Sequence, residues 1–227
     1  MDEAVRSSVI PMAMKLQRLG DEAVLVATTP SPEVRSMLRK GGWSELENHQ
    51  RLILPGFPGL RRLFLRGNPA GSGSLRLTFE VDEVKSIAPQ KVRAGVLWRD
   101  TTPEFLRWYL ASPARRHHFA GLVDGDGRLS AHVIVAPAAV RKMAAWEVVD
   151  ISSGSADGEG SVTGLVEALL ATLPRRPWLI LNRLGTEWRG VRPLKVGRPK
   201  PTLFHRSPVN LAVKEKRWQM AEGDLGL

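Results

Sequence analysis

Apolar and polar residues near the start of this chain follow the pattern of a strand and then a helix. Residues 22–28 form a short apolar run that ends before Pro30, which predicts a buried strand. Ser31-Pro32-Glu33 then marks a helix start, because serine can cap, proline suits the first turn and glutamate favours the positive helix end. Gly41-Gly42 ends this helix after roughly ten residues.

A second strand is predicted at residues 50–54, where an apolar run closes at Pro55-Gly56. Upstream, residues 5–19 carry apolar positions roughly at helical spacing, and Pro11 kinks or divides that helix. The opening segment therefore predicts a helix, a strand, a helix and a strand in that order.

Turn-forming residues are concentrated between residues 56 and 96, where glycine and proline recur every few positions. This composition predicts a linker or crossing segment, and we place a domain boundary here. Within it, residues 75–81 alternate apolar and polar side chains, which predicts a half-buried strand. Residues 82–90 are predicted to form a short helix.

A second group of elements begins near Trp98 with a helix signal at residues 101–104, Thr-Thr-Pro-Glu. Phe105, Trp108 and Tyr109 follow at helical spacing, so they are predicted to share one core-packing face.

The clearest local pattern is a hairpin, in which residues 119–123 and 129–136 flank the turn Asp124-Gly-Asp-Gly127. The turn lacks the further ligands and the distal glutamate of a calcium loop, so it predicts a plain turn.

The remaining predicted elements are a strand at 145–151, a helix at 161–173, a strand at 178–182 and a last hairpin from 211–213 and 218–220.

Composition limits the chemistry available to this chain. Its 227 residues, 43% of them hydrophobic, can bury a sizeable core, and the lack of cysteine excludes disulfides and cysteine nucleophiles. The histidines lack a metal-binding spacing, so no metal site is expected. Neither a GxSxG nor a Walker motif occurs, so the hydrolase and nucleotidase interpretations have no support. The acidic start, Met1-Asp2-Glu3, and the lack of an apolar run of about 18 residues predict a cytoplasmic protein without a membrane segment.

The net charge of +10 comes from 33 basic and 23 acidic residues, and much of the excess is arginine in scattered pairs. Such an excess attracts anions, so it fits a solvated surface, a coenzyme A groove or a polyanionic partner. Residues 195–200, Lys-Val-Gly-Arg-Pro-Lys, resemble basic hooks for DNA minor grooves, although solvated proline-rich loops are the commoner source of such strings. Nucleic acid is therefore the less favoured partner.

The order of elements in residues 98–224 resembles the GNAT superfamily of N-acyltransferases. The similarity to the second module of bacterial tandem GNAT proteins is carried by Leu106-Arg-Trp-Tyr109, Val149-Asp150-Ile151 and residues 218–224, Trp-x-x-x-x-Gly-Asp. The family phrase has a further Arg before the tyrosine, where this chain has Trp108 directly. Residues 3–55, with the step Gly42-Trp43, resemble the second half of a first module.

This resemblance implies an α/β fold with a mixed α+β sheet of the GNAT type. It divides the chain into a partial module at residues 1–55, a linker and crossing strand at 56–96, and a complete module at 97–227.

The resemblance also implies acetyl-CoA or another acyl-CoA as co-substrate, held by a loop whose main-chain N–H groups meet the pyrophosphate at a helix start. The family loop has Gln or Arg, two residues, Gly, one residue, then Gly or Ala. Ser155 stands at the Gln or Arg position, and Asp157 and Glu159 add carboxylates that oppose phosphates, so a flexible acidic turn is the alternative. The candidate cofactor-binding residues are Gly158, Gly160, Ser161 and Asn182, the last of which follows the predicted strand.

Acyl transfer to an amine needs a base for the amine and an acid for the leaving thiolate. Glu147 and Asp150 lie on the strand at 145–151, and Tyr109 is the only tyrosine. In a regular strand their spacing places Glu147 and Asp150 on opposite faces, so they are not expected to act as a close pair. No catalytic residue is assigned.

Two functions remain open. The first is an N-acyltransferase that transfers an acyl group from acyl-CoA to an amine. The second is a noncatalytic GNAT-like module that binds a protein partner or an anionic polymer. Because the first module looks incomplete, the strand at residues 23–28 is expected to expose an edge, which predicts a homodimer or a heteromeric partner.

Overall fold

The computed structural model describes much of the chain in separate stretches: residues 25–28, 32–46, 49–58, 60, 75–89, 96–98, 101–113, 115–153, 159–184, 193–196, 203–206 and 217–219. The chain folds into two compact units. The smaller unit consists of Met1–His49 and Pro199–Arg217, and the larger unit consists of Gln50–Arg198 and Trp218–Leu227. The division predicted from the sequence, into residues 1–55, 56–96 and 97–227, stays a prediction.

The described part of the smaller unit consists of one helix and a three-stranded sheet. Its elements are β1 (Leu25–Thr28), α1 (Pro32–Lys40), β2 (Ser44–Leu46) and β12 (Leu203–Arg206). The strands are ordered β1-β12-β2, and both pairings are antiparallel. Helix α1 ends as predicted, because Gly42 adopts a φ of +76° that favours glycine. The sequence missed β2 and β12, which are short.

The larger unit is built on a mixed sheet in the order β11-β3-β10-β9-β8-β7-β4, and β5 pairs with β8 outside that row. The strands are β3 (His49–Pro55), β4 (Arg76–Thr78), β5 (Ser86–Ile87), β7 (His118–Val123), β8 (Arg128–Val140), β9 (Met143–Ser153), β10 (Trp178–Leu184) and β11 (Lys195–Val196). Two further strands, β6 (Val96–Trp98) and β13 (Arg217–Gln219), pair with each other.

The predicted hairpin is confirmed as β7 and β8. The Asp124 carboxylate accepts hydrogen bonds from the main-chain N–H groups of Asp126 and Arg128, at 3.0 and 2.9 Å. Gly127 has a φ of +81°, so the turn needs glycine there. The acidic side chain thus serves its own turn, as the plain-turn prediction requires.

Helix α3 (Glu159–Thr172) joins β9 to β10, which are parallel neighbours in the sheet. It covers one face of the sheet with buried side chains at helical spacing, Val162, Leu165, Val166 and Leu169. Each such side chain contributes roughly 1.5–3 kcal/mol when it is fully buried. The β-α-β unit is therefore held by a continuous apolar layer between helix and sheet.

Helix α2 (Pro103–Leu110) covers the opposite face. Its start is as predicted, since the Thr102 hydroxyl accepts a hydrogen bond from the N–H of Phe105 at 3.1 Å. The predicted core face is wrong at Trp108, whose exposed fraction is 70%. Leu106 and Tyr109 are buried instead. They are three residues apart, so they share the face of α2 that packs against the sheet.

The predicted helix at residues 82–90 is also wrong. A short 3-10 turn, Val81–Glu83, is followed by β5 instead. The main-chain N–H groups of Lys85 and Ala88 donate to Gly127 and Leu129, so pairing with the hairpin takes up the bonds that a helix would use. The predictions at residues 5–19 and 211–213 lie outside the described residues. None of the described helices has the length and apolar character needed to cross a membrane.

Replacing Gly56 by alanine should destabilise the larger unit. A Cβ there would overlap the carbonyl oxygen of Arg176 and lie 2.9 Å from the main-chain nitrogen of Trp178. We expect Gly56→Ala to lower the free energy of unfolding by about 1–3 kcal/mol in urea denaturation, because well-packed sites do not accept an added methyl group. Gly125→Ala is the matched control, since a Cβ at that turn meets no atom within 4 Å. Equal stability of the two variants would contradict the close approach.

Candidate functional site

The candidate site lies where the two central parallel strands stop pairing. Within the described residues, the pairing of β9 with β10 runs from Ala145 opposite Trp178 to Val148 opposite Leu181. Both strands continue beyond that point, β9 to Ser153 and β10 to Leu184. Ligands of open α/β sheets bind outside the carboxyl ends of such strands, so this opening is the place to look for a site.

A β-bulge occurs in β9 at the same level. Val135 of β8 lies opposite Val148, but the next residue, Ile134, lies opposite Asp150, so Val149 is an extra residue in β9. A bulge bends its strand and increases the local twist, and bulges are common next to active sites. The end of the β9–β10 pairing thus coincides with the irregularity in β9.

The bulge overturns the prediction that Glu147 and Asp150 face opposite sides of the sheet. Glu147 lies opposite Ala136 and Asp150 lies opposite Ile134. Ala136 and Ile134 are two residues apart on a strand, so they share a face, and their cross-strand partners share it with them. The sequence argument failed because it assumed an unbroken alternation between the two carboxylates.

Asp150 is buried in a pair with His132 of β8. The Nε2 atom of His132 lies 3.3 Å from Oδ2 of Asp150, and both residues are about 1% exposed. The Phe119 ring lies 6.2 Å from the imidazole, centroid to centroid, in a stacked arrangement. This pair was not predicted from the sequence, because partners on neighbouring strands leave no local signal.

Glu147 is buried between two arginines. One carboxylate oxygen lies 3.1 Å from Nη2 of Arg51, and the other accepts a hydrogen bond of 2.7 Å from Nη2 of Arg115. Arg115 also donates through Nε to the carbonyl of Pro137 at 3.0 Å. The carboxylate is therefore held in ion pairs that join β9 to β3 and to the segment before β7.

Tyr109 lies in the apolar cluster that also contains Val149 of the bulge. Its ring stacks on Phe105 at 5.9 Å and lies 4.6 Å from the ring of His117. Burial lowers the pKa of His117, and the charges of Arg115 and His118 lower it further. The only tyrosine of the chain therefore belongs to the layer between α2 and the bulge.

Three of the four predicted cofactor residues lie in described elements. Gly158 lies outside the described residues, whereas Gly160 and Ser161 lie in the first turn of α3. Asn182 lies inside β10, which extends to Leu184, rather than after the strand. The parallel direction of β9 and β10 brings this part of β10 to the same edge as the end of β9. Among the described residues, no group of three His, Asp and Glu side chains could hold a metal ion.

Comparison with known proteins identifies the fold. No protein-family model matches this chain, and no curated protein matches it in sequence. A GCN5-related N-acetyltransferase from Anabaena variabilis has a TM-score of 0.50 at 9% identity, over 86% of this chain and 48% of that one. A probable N-acyltransferase from Enterococcus faecalis has a TM-score of 0.54 at 12% identity, over 87% of this chain and 48% of that one. The chain spans about half the length of these two proteins.

These similarities confirm the predicted fold class, a mixed α/β architecture of the GNAT type. At such low identity they show the fold and leave the chemistry to be argued from the site.

The buried pair beside the bulge should be important for stability. We expect His132→Leu to lower the free energy of unfolding by about 3–5 kcal/mol, because it leaves the Asp150 carboxylate buried without its imidazole. The double variant His132→Leu with Asp150→Leu should lose less than the sum of the single variants, by about 0.5–3 kcal/mol in a double-mutant cycle.

Ser130→Ala is the control for this cycle, since Ser130 lies half-buried on the same strand. It should change stability by no more than about 0.5 kcal/mol. Additive effects of the two leucine substitutions would show that the pair is not coupled.

Proposed function

We propose that this chain, which has the fold of the GNAT N-acyltransferases, binds an acyl-CoA beside the carboxyl ends of β9 and β10 and transfers the acyl group to an amine. The observation that carries the proposal is the coincidence of three features at one edge. There the β9–β10 pairing ends, β9 is bulged, and α3 begins six residues after β9 ends, at Glu159 (159 − 153 = 6).

The main chain at this edge fits such a ligand. Helix α3 has 14 residues, so its first turn offers N–H groups and a positive dipole end to an anion. An extended ligand that lies between two strands beyond their mutual pairing is held by main-chain hydrogen bonds, in the manner of an added strand. We propose Gly158, Gly160, Ser161 and Asn182 as the residues beside the cofactor.

The side chains fit less well than the main chain. In sequence, the acidic residues Asp157 and Glu159 flank Gly158 of the proposed phosphate loop, and Ser155 stands at the position of the family's Gln or Arg. We therefore expect main-chain contacts to supply most of the affinity. An acyl-CoA supplies an activated thioester, and the chain has to bind it, orient it and remove a proton from the amine.

No described carboxylate of β9 is proposed as the base. Glu147 is about 2% exposed and bridges Arg51 and Arg115, and Asp150 is about 1% exposed and pairs with His132. A base must reach the proton that it removes, which these buried groups do not.

The burial of both β9 carboxylates favours a second candidate function, a noncatalytic GNAT-like module that binds a protein partner or an anionic polymer. Glu147 is held in ion pairs with Arg51 and Arg115, Asp150 is held beside the His132 imidazole, and the predicted cofactor loop is acidic. We propose a cytoplasmic location for either function.

The first experiment is calorimetric titration with acetyl-CoA and with free CoA at about 0.1 M and 0.5 M NaCl, because high salt screens attraction to a basic surface. We expect a dissociation constant of about 1–50 µM that changes little with salt. Gly160→Leu should weaken binding by about tenfold or more, since a bulky side chain would block close approach at the helix start.

Gly125→Leu is the matched control, because Gly125 lies in an exposed hairpin turn with open space around its Cα. Lack of binding by the unmodified chain would contradict the proposal. If binding is present, release of free thiol in the presence of an amine panel supports transfer, and binding without release supports the second candidate.

We also propose self-association or heteromeric pairing through β1, which lies at one end of its three-stranded sheet. Light scattering between about 1 and 100 µM should show a mass that rises toward that of a dimer, because an open strand edge can pair with a second copy. A substitution of Val26 by proline should lower that mass, since proline cannot donate to a strand pair. A constant monomer mass would contradict self-association.

A further inference from the structure

Trp146 of β9 holds an arginine in a fixed position, near the end where the β9–β10 pairing begins. The indole Nε1 donates a hydrogen bond of 2.9 Å to the carbonyl of Pro174, which fixes the ring. The guanidinium carbon of Arg176 lies 4.1 Å from the ring centroid, and Nη1 of Arg176 donates to the carbonyl of Ala145 at 3.0 Å. A stacked guanidinium with one N–H in use keeps its other donors for a partner.

His118 meets the same indole from another side. It is the first residue of β7, and its ring lies edge-on to Trp146 with centroids 5.3 Å apart. Burial lowers the pKa of His118, and the charges of Arg116 and Arg176 lower it further. His118 and Arg176 therefore lie against one indole ring, and the charge of Arg116, two residues before His118, acts on the same imidazole.

Within the described part of the chain, no carboxylate balances these groups. Neither Arg116 nor Arg176 forms an ion pair with a described Asp or Glu. The neighbouring carboxylate in sequence, Glu147, is bound by Arg51 and Arg115. Like charges that gather without a counter-charge destabilise one another, and a bound anion removes that repulsion.

We propose that His118 and Arg176, which both contact Trp146, form with Arg116, two residues before His118, a binding site for the phosphate group of a small phosphomonoester. Arginine side chains suit phosphate because their planar donors match its oxygens. The charge favours a monoester over a diester, since its dianion neutralises both arginines whereas a diester neutralises one. His118 gains a proton on binding and adds a third donor.

This site is separate from the proposed acyl-CoA edge and does not depend on it. Arg176 follows the end of α3, whereas the proposed cofactor edge lies at the start of that helix. A helix of 14 residues is about 21 Å long, so one phosphate group does not serve both positions.

Sulfate is the best first probe, because it remains a dianion across the pH range in which histidine titrates. We expect NMR titration of His118 to show its pKa rising by about one unit on saturation with sulfate at constant ionic strength. By linkage, sulfate should bind up to about tenfold more tightly as the pH falls from 7.5 to 5.5, since protonated His118 attracts it. The neighbours of His118 are Arg115, Arg116 and His117, which precede it, and Arg176, which faces it from beyond α3. Each of them is a cation or gains positive charge as the pH falls, so none opposes tighter sulfate binding at low pH.

Substitutions separate a built site from diffuse surface charge. Arg176→Gln and Arg116→Gln should each weaken sulfate and inorganic phosphate binding by about tenfold, whereas Arg175→Gln should change it by less than about twofold. Arg175 is an exposed neighbour whose loss changes the net charge by the same amount. Arg116 is also exposed, so Arg116→Gln tests the site even if Arg176→Gln disturbs Trp146.

Three results would overturn the proposal. The first is an unchanged His118 pKa in saturating sulfate, and the second is equal weakening by Arg175→Gln and Arg176→Gln. The third is binding of a DNA duplex to these residues at a phosphate concentration at which inorganic phosphate does not bind. That result would assign the surface to a phosphodiester polymer. Saturable binding of inorganic phosphate that Arg116→Gln and Arg176→Gln both weaken, with the rise in the His118 pKa, would support it.

Discussion

The extra residue in β9 is the constraint on which the candidate site depends. In an unbroken strand, Asp150 would face α3 and its buried leucines, where an ionised carboxylate would lack a partner. The bulge at Val149 turns Asp150 to the other face, where it pairs with His132. The same change of direction coincides with the end of the β9–β10 pairing. One added residue therefore determines the face on which Asp150 lies, and it stands where the described β9–β10 pairing ends.

Two buried carboxylates on one face require partners, and the partners tie the larger unit together. Asp150 connects β9 to β8, and Glu147 connects β9 to β3 through Arg51. Desolvation makes such pairs expensive to form, but removal of one partner leaves an uncompensated charge. Both carboxylates are thus held by partners within the fold. A ligand at this edge would therefore be bound by main-chain groups rather than by these two carboxylates.

The sequence predicted elements that are bounded by local signals, and it failed where distant residues decide. The turn at Asp124–Gly127 and the cap at Thr102 are encoded by adjacent residues, so α2 and the β7–β8 hairpin were predicted correctly. The segment at residues 82–90 became β5 because its bonds go to the hairpin. The bulge has no local signature, since Val148-Val149-Asp150 reads as ordinary strand, and the pairing of His132 with Asp150 follows from it. The acidic loop before α3 was read from sequence alone and stays a prediction.

Charge is distributed unevenly along α3, and this bears on how the net charge should be interpreted. Asp157 and Glu159 lie at or just before its start, whereas Arg175 and Arg176 follow its end. Cations near a helix C-terminus and anions near an N-terminus both stabilise the helix, so this arrangement suits the helix itself. In sequence, the arginines next to α3 therefore lie at the end of the helix opposite the proposed cofactor loop. Anion binding at Arg176 and acyl-CoA binding at the start of α3 would therefore rest on different forces, side-chain charge at one end and main-chain donors at the other.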